Sequence, residues 1–263
     1  MRRRKLKGDN EMKTMKVDKL NVEIYPTRRQ MGEAAARDIK ECFCRLLANK
    51  DSINVIFAAA PSQNEVLDAL CNDTDIEWGR INAYHMDEYI GLSKDAPQGF
   101  GNFLANALFG RVGFKSVKYI DPEAKDIEAE AERYSKLLLQ NPADVVVMGI
   151  GENGHIAFND PPVADFKDPR VVKPVELDAV CRQQQVNDGC FATLGDVPTH
   201  ALTLTVPTLM RAPEVFCIVP AATKAWAVER TLNGEVGEAC PATALRSHSC
   251  AKLYLDGDSS SKL

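Results

Sequence analysis

Apolar residues along this chain alternate between two rhythms. Short runs dense in branched residues give way to longer stretches in which apolar positions recur every three to four residues, the periods of buried strands and amphipathic helices. Residues 22–25 read as a strand. Thr27-Arg28-Arg29-Gln30 has the spacing of a capping box and opens a helix with apolar positions at Met31, Ala35, Ile39, Phe43 and Leu46-Leu47. Further strands are read at 53–58, 81–84, 117–120, 144–148, 201–205, 215–219 and 252–255, and further helices at about 64–71, 100–109, 126–139 and 223–232. The run 144–148, centred on Val145-Val146-Val147, is apolar without alternation, as a strand buried on both faces requires. The succession predicts an α/β fold: a single open, mostly parallel sheet with helices on both faces.

Three stretches depart from this rhythm. Residues 1–18 read as a basic, disordered extension, with Met12 and Met15 as alternative starts, and residues 258–263 as a loose tail. One domain is expected over 19–257. Within it, 161–198 carries few periodic apolar residues, and long irregular segments often serve as lids. Cys181-Arg182-Gln183-Gln184-Gln185 lies inside it, either as a short polar helix or as a lid bringing Arg182 onto a ligand.

Composition narrows the function classes. A net charge of -5 over 263 residues gives no support for nucleic-acid binding, and no apolar run is long enough for a membrane helix. The eight cysteines form no Cys-x-x-Cys pair, and several, such as Cys217, sit in apolar runs. They read as reduced, buried thiols of a cytoplasmic protein.

Candidate chemistry lies at two strand ends. The strand 144–148 empties into Gly149-Ile150-Gly151-Glu152-Asn153-Gly154-His155-Ile156-Ala157-Phe158-Asn159-Asp160-Pro161. The strand 81–84 empties into His85-Met86-Asp87-Glu88-Tyr89-Ile90-Gly91-Leu92. In open α/β sheets, ligands bind beyond the carboxyl ends of the strands, and two such ends bearing acid/base groups point to proton transfer. Taken singly, each segment also fits a polar turn. A third segment, Ala59-Ala60-Pro61-Ser62-Gln63-Asn64, links a strand to a helix whose free N–H groups suit a phosphate, with Ser62 as hydroxyl donor or as plain N-cap. Lys224 sits at another helix start, against the dipole, where an anion would offset the repulsion.

The two long motifs together resemble the glucosamine-6-phosphate deaminase (isomerase) family, which shares a superfamily with 6-phosphogluconolactonase. The similarity runs from about Val22 to Asp256. Ile156-Ala157-Phe158-Asn159 stands where the lactonase branch has Thr-Ala-Ser-Leu-Phe after the histidine, which favours the deaminase branch. The resemblance implies an enzyme converting glucosamine 6-phosphate and water to fructose 6-phosphate and ammonia. Asp87 would then move a proton between C2 and C1. His155 would act in ring opening, oriented by Asp160, where the family often has Glu. Asn153 would bind a hydroxyl or position water. Glu88 and Gly154 join the substrate-binding set, Glu88 mainly as loop support. Ser62, Gln63, Asn64, Arg182 and Lys224 would hold the phosphate, although the 59–64 loop lacks the family's paired glycines and the register at Arg182 is loose. The family needs no metal or cofactor and occurs as monomers and as homo-oligomers. Another sugar-phosphate isomerase, a lactonase and a non-catalytic sugar-phosphate sensor remain as alternatives; loss of Asp87 or His155 would favour the sensor, and both are present.

Overall fold

Branched residues hold extended backbone and fill a pleated surface, and they crowd the segments that become strands. The computed structural model describes residues 11–177, 179–187 and 189–263. Its strands are β1 (Lys13–Val17), β2 (Leu20–Tyr25), β3 (Ile53–Phe57), β4 (Ile81–His85), β5 (Asp87–Tyr89), β6 (Ser116–Lys118), β7 (Val145–Met148), β8 (Val172–Glu176), β9 (His200–Leu204), β10 (Glu214–Val219) and β11 (Ala251–Asp256). Eight of them form one sheet in the order β1-β2-β11-β10-β7-β3-β4-β6. All neighbours in it are parallel except the β1–β2 hairpin at one edge.

Alternate residues of the central strands feed two cores. Val145 and Val147, with Val55, Phe57, Phe216 and Ile218, pack against α1 (Arg28–Leu47), α2 (Asn64–Cys71) and α3 (Phe100–Leu104). Val146 and Met148, with Ile56, Cys217 and Leu253, pack against α4 (Ile127–Gln140) on the opposite face. The continuous apolar run of β7 is thus explained by burial on both sides. α5 (Ala179–Asn187), α6 (Val206–Met210) and α7 (Ala225–Asn233) complete the helices. Thr27 caps α1 as expected, its hydroxyl accepting from the Gln30 N–H at 3.2 Å. None of the described helices is long and apolar enough to cross a membrane.

The fold class follows the sequence reading; four local expectations do not. The run 201–205, expected in the main sheet, forms β9 in a second, antiparallel sheet of order β5-β9-β8. Its apolar character reflects burial beneath the site. The segment 161–198 is not irregular throughout: it contains β8 and α5. Within the supposed extension, residues 13–17 form β1, an edge strand whose mostly exposed lysine-bearing face gives no apolar signal; residues 1–10 lie outside the described residues. The supposed tail closes a turn in which Ser259, fully buried, donates its N–H to the Asp256 carboxylate at 2.7 Å.

α1 and α2 approach closely at Gly32, where an added Cβ would come within 2.5 Å of the Glu65 Cβ and 3.1 Å of its carbonyl carbon. Only a glycine fits there. Gly32→Ala is expected to lower unfolding free energy by about 1–3 kcal/mol, the range for overpacking, as read by urea denaturation; an unchanged midpoint would show that the helices separate freely.

Candidate active site

Strand order reverses between β3 and β7. The chain leaves β3 towards β4 on one side and later returns to build β7, β10 and β11 on the other. Crevices at such switch points lie beyond the carboxyl ends of the strands. The loops after β3, β4, β7 and β10 meet there around one pocket, lined among others by Ser62, Asp87, Gly151, His155 and Lys224.

Asp87 follows β4 across a bend at Met86. Its backbone is held from below by His85, a wholly buried ring. The His85 Nε2 accepts from the Ile120 N–H at 2.9 Å, so Nδ1 carries the proton and donates to the Asp87 carbonyl at 2.8 Å. Burial pushes the His85 pKa down to about 4. The Asp87 side chain faces the pocket and is 6% exposed. Burial, and then the charge of Glu88, raise its pKa well above the ordinary carboxylate value, which makes it a stronger base once ionised. Glu88 points the other way. Its carboxylate accepts N–H groups from Tyr89, Phe100 and Gly101 at the start of α3. It supports the loop and does not reach the pocket.

His155 is 8% exposed and lines the same pocket from the loop after β7. Its Nδ1 stands 2.9 Å from Asp160 Oδ1, in a bent alignment. Burial works against the Asp160 charge, but the neighbouring His155 and hydrogen bonds from His155, Asn153 and Cys181 hold its pKa below the ordinary value. Asn153 spans the pair: its Nδ2 donates to Asp160 Oδ1 at 2.8 Å, and its Oδ1 accepts the His155 N–H at 3.0 Å. It therefore fixes the turn and is not among the pocket-lining residues. Gly154 is likewise structural. It takes φ +86° with its α-carbon against Cys240, where a Cβ would lie 2.6 Å from the sulfur. Gly151 leaves room for the imidazole, since a Cβ there would sit 2.2 Å from two ring atoms. His155, Asp160 and Cys181 together place possible metal-ligand atoms within 4.8 Å of one another.

The cations depart most from expectation. Lys224 lines the pocket and is 6% exposed. Arg182 does not reach it. Its Nη2 donates to the carbonyls of Leu194 and Val197 at 2.7 and 2.9 Å, which ties α5 to the following loop. The helix turns its neighbours Gln184 and Gln185 to the pocket instead. Of the 59–64 loop, Ser62 lines the pocket, whereas Asn64 is exposed and Gln63 turns inward, its Nε2 donating to Ser62 Oγ and to the Ile218 carbonyl. Arg28, missed in the sequence because it reads as an ordinary first-turn residue, lines the pocket from the start of α1. Its Nε donates to Glu65 at 2.6 Å and its Nη2 to the Pro61 carbonyl. Two of the three non-glycine residues with positive φ among the described residues, Ala157 at +50° and Ala221 at +82°, also line it. With ψ 147°, Ala221 occupies a region almost reserved for glycine, at a cost of about 1–3 kcal/mol. His200 and His248 do not line the pocket: the ring of His200 meets the Thr199 hydroxyl, and that of His248 meets the Ala212 carbonyl and the Cys250 N–H.

Comparison with known proteins gives a consistent picture. The family of glucosamine-6-phosphate isomerases/6-phosphogluconolactonase matches residues 26–254. The glucosamine-6-phosphate deaminase of Listeria welshimeri is 33% identical over 211 residues, 80% of this chain and 88% of that protein. That of Bacillus cereus (strain B4264) is 31% identical over 237 residues, 90% and 87% of the two chains. Among solved structures, a monomeric glucosamine-6-phosphate deaminase superposes with a TM-score of 0.83 at 27% identity, covering 95% of this chain and 100% of the other. The 6-phosphogluconolactonase of Thermotoga maritima shares the fold, with a TM-score of 0.72 at 20% identity over 90% of this chain and 100% of its own.

Two outcomes follow from the geometry. Gly151→Ala is expected to drive the imidazole out of its seat, with a chemical-shift change at His155 and loss of any His155-dependent activity; an unmoved ring would show that the loop yields. His85 has a folded pKa below its unfolded value of about 6.5, so the unfolded chain binds the extra proton. Its contribution is intact above pH 6.5 and is lost as pH falls towards about 4, by about 3 kcal/mol in all. His85→Gln is expected to flatten that part of the stability–pH curve measured by urea denaturation; parallel curves would assign the acid sensitivity elsewhere.

Proposed function

The chain belongs to the family of glucosamine-6-phosphate isomerases and 6-phosphogluconolactonases, and we propose that its pocket converts glucosamine 6-phosphate and water to fructose 6-phosphate and ammonia. One observation carries the reading. A buried carboxylate of raised pKa, Asp87, and a carboxylate-backed imidazole, His155, share a pocket with the cations Lys224 and Arg28. Bases and cations so combined suit proton transfer on a phosphorylated sugar.

His155, backed by Asp160, takes the proton of the anomeric hydroxyl and delivers it to the ring oxygen, which opens the pyranose. Asp87 then removes the proton on C2. The electron pair moves into the C1–C2 bond, the C1 carbonyl oxygen is protonated, and the proton returns at C1. The nitrogen is left as an imine at C2, which adds water and expels ammonia. Desolvation of Asp87 strengthens it for the C2 step, the hardest of these because the proton leaves carbon. Lactone hydrolysis moves no carbon-bound proton and needs one base, for its water, a part His155 can fill; the second, desolvated base Asp87 therefore favours deamination over the lactonase alternative.

The phosphate is held by Lys224, the Ser62 hydroxyl and Arg28, with Arg28 in the role expected of Arg182. Gln184 and Gln185 offer neutral amides to the sugar hydroxyls. The eight free cysteines support a reducing, cytoplasmic setting.

Asp87→Asn is expected to cut ammonia release by about 10²–10⁴-fold, the usual contribution of a general base, while sugar 6-phosphates still raise the Tm and their unphosphorylated parents do not. Ammonia release near that of the unaltered protein would remove Asp87 from the chemistry, and equal stabilisation by both sugar forms would remove the phosphate site.

A further inference from the structure

The loop after β10 brings Pro220, Ala221, Thr223 and Lys224 to the pocket, and it does so through a backbone conformation that alanine avoids. Something must hold Ala221 there. The Ala221 N–H is shared between the two carboxylate oxygens of Asp256, at 3.2 and 3.1 Å. Asp256 ends β11, the parallel neighbour of β10, in register one residue beyond the Val219–Leu255 pair. It is 3% exposed and does not line the pocket. The carboxylate is itself fixed by the chain's last turn. Asp256 Oδ1 accepts the Ser259 N–H at 2.7 Å, the Asp256 N–H donates to Ser259 Oγ at 3.1 Å, and the Asp256 carbonyl accepts the Ser260 N–H at 3.1 Å.

We infer that Asp256 is a positioning residue: its buried carboxylate holds Ala221 in its strained conformation and so sets Lys224 and the adjoining loop for the substrate phosphate. The inference rests on the functional reading above. A charged acceptor on a backbone N–H is stronger than a neutral one, and it acts on the residue where the strain is stored. Without it, Ala221 relaxes towards negative φ, and the loop that carries Lys224 turns with it. The chemistry at Asp87 and His155 belongs to other strands and is untouched. The loss therefore falls on phosphate recognition and not on turnover. Glycine reaches the same backbone region without strain, so glycine at position 221 makes the clamp dispensable.

The test measures binding of inorganic phosphate and fructose 6-phosphate by calorimetry, alongside kcat and KM for ammonia release, in the unaltered protein, Asp256→Ala and Asp256→Ala/Ala221→Gly. Asp256→Ala is expected to weaken both ligands and raise KM roughly tenfold, about 1.4 kcal/mol, with kcat within about twofold. The double variant is expected to recover most of that affinity. A merely structural Asp256 would lower Tm in both variants alike and give no glycine rescue. Binding by Asp256→Ala equal to that of the unaltered protein, or a loss that glycine does not reverse, overturns the inference. Failure of the unaltered protein to bind any phosphate ligand overturns the functional reading, and the inference falls with it; the two failures are told apart by that first measurement.

Discussion

The site depends on one short strand pairing. β5 and β9 run antiparallel, with Asp87 opposite Thr203, and β9 then reaches the other motif. The Phe158 N–H donates to Thr203 Oγ1 at 3.0 Å, and Asn159 Nδ2 donates to the Leu204 carbonyl at 2.8 Å. Two consecutive positions of β9, Thr203 and Leu204, thus lock the Asp87 and His155 loops to each other. The loops come from different strands of the main sheet and would otherwise be related only through it. Aromatic rings seal the joint. Tyr89 meets Phe158 at 5.4 Å and Phe191 at 5.6 Å, and Phe100 stacks on Phe158 at 5.4 Å. Phe191 brings the segment after α5 into the same cluster, which anchors what might have been a free covering loop.

Much of this was legible in the sequence. The parallel sheet was, because Val145-Val146-Val147 must be covered on both faces and only a doubly layered fold does that. The meeting of Asp87 and His155 at one pocket was, because each follows a strand directly and strand ends converge at the switch point. What escaped depends on direction, which a sequence does not carry. On α5, Arg182, Gln184 and Gln185 lie within one turn, and periodicity alone cannot say which of them meets the pocket. Arg28 is far from every motif in sequence and reaches the site only because α1 begins beside the Pro61 loop. The run 201–205 looked like a core strand because burial under a small sheet and burial in a large one leave the same apolar signature.

Charge is handled locally. The chain is net acidic, so an anionic ligand gains nothing from the distant field. The carboxylates nearest the site are instead separated by task. Burial raises all three, but the neighbouring His155 and Asn153 bring Asp160 below the ordinary value, three backbone N–H groups offset part of the rise at Glu88, and Asp87, with neither kind of partner among the described residues, is left raised well above it. The same residue type thus supplies an orienting charge in one place and a poised base in another, and burial and hydrogen bonding make the difference.

The anchoring of Arg28 bears on how quickly a ligand can come and go. A guanidinium carried on a moving cover must be ordered at each encounter, and that ordering is subtracted from the free energy of binding. Arg28 has already lost its rotamer freedom to Glu65 and the Pro61 carbonyl when the chain folds. The entropy was surrendered once, at folding, and not at every catalytic cycle. Such preorganisation strengthens association without requiring Arg28 to move, and a cation that is not recruited at binding need not be withdrawn for release.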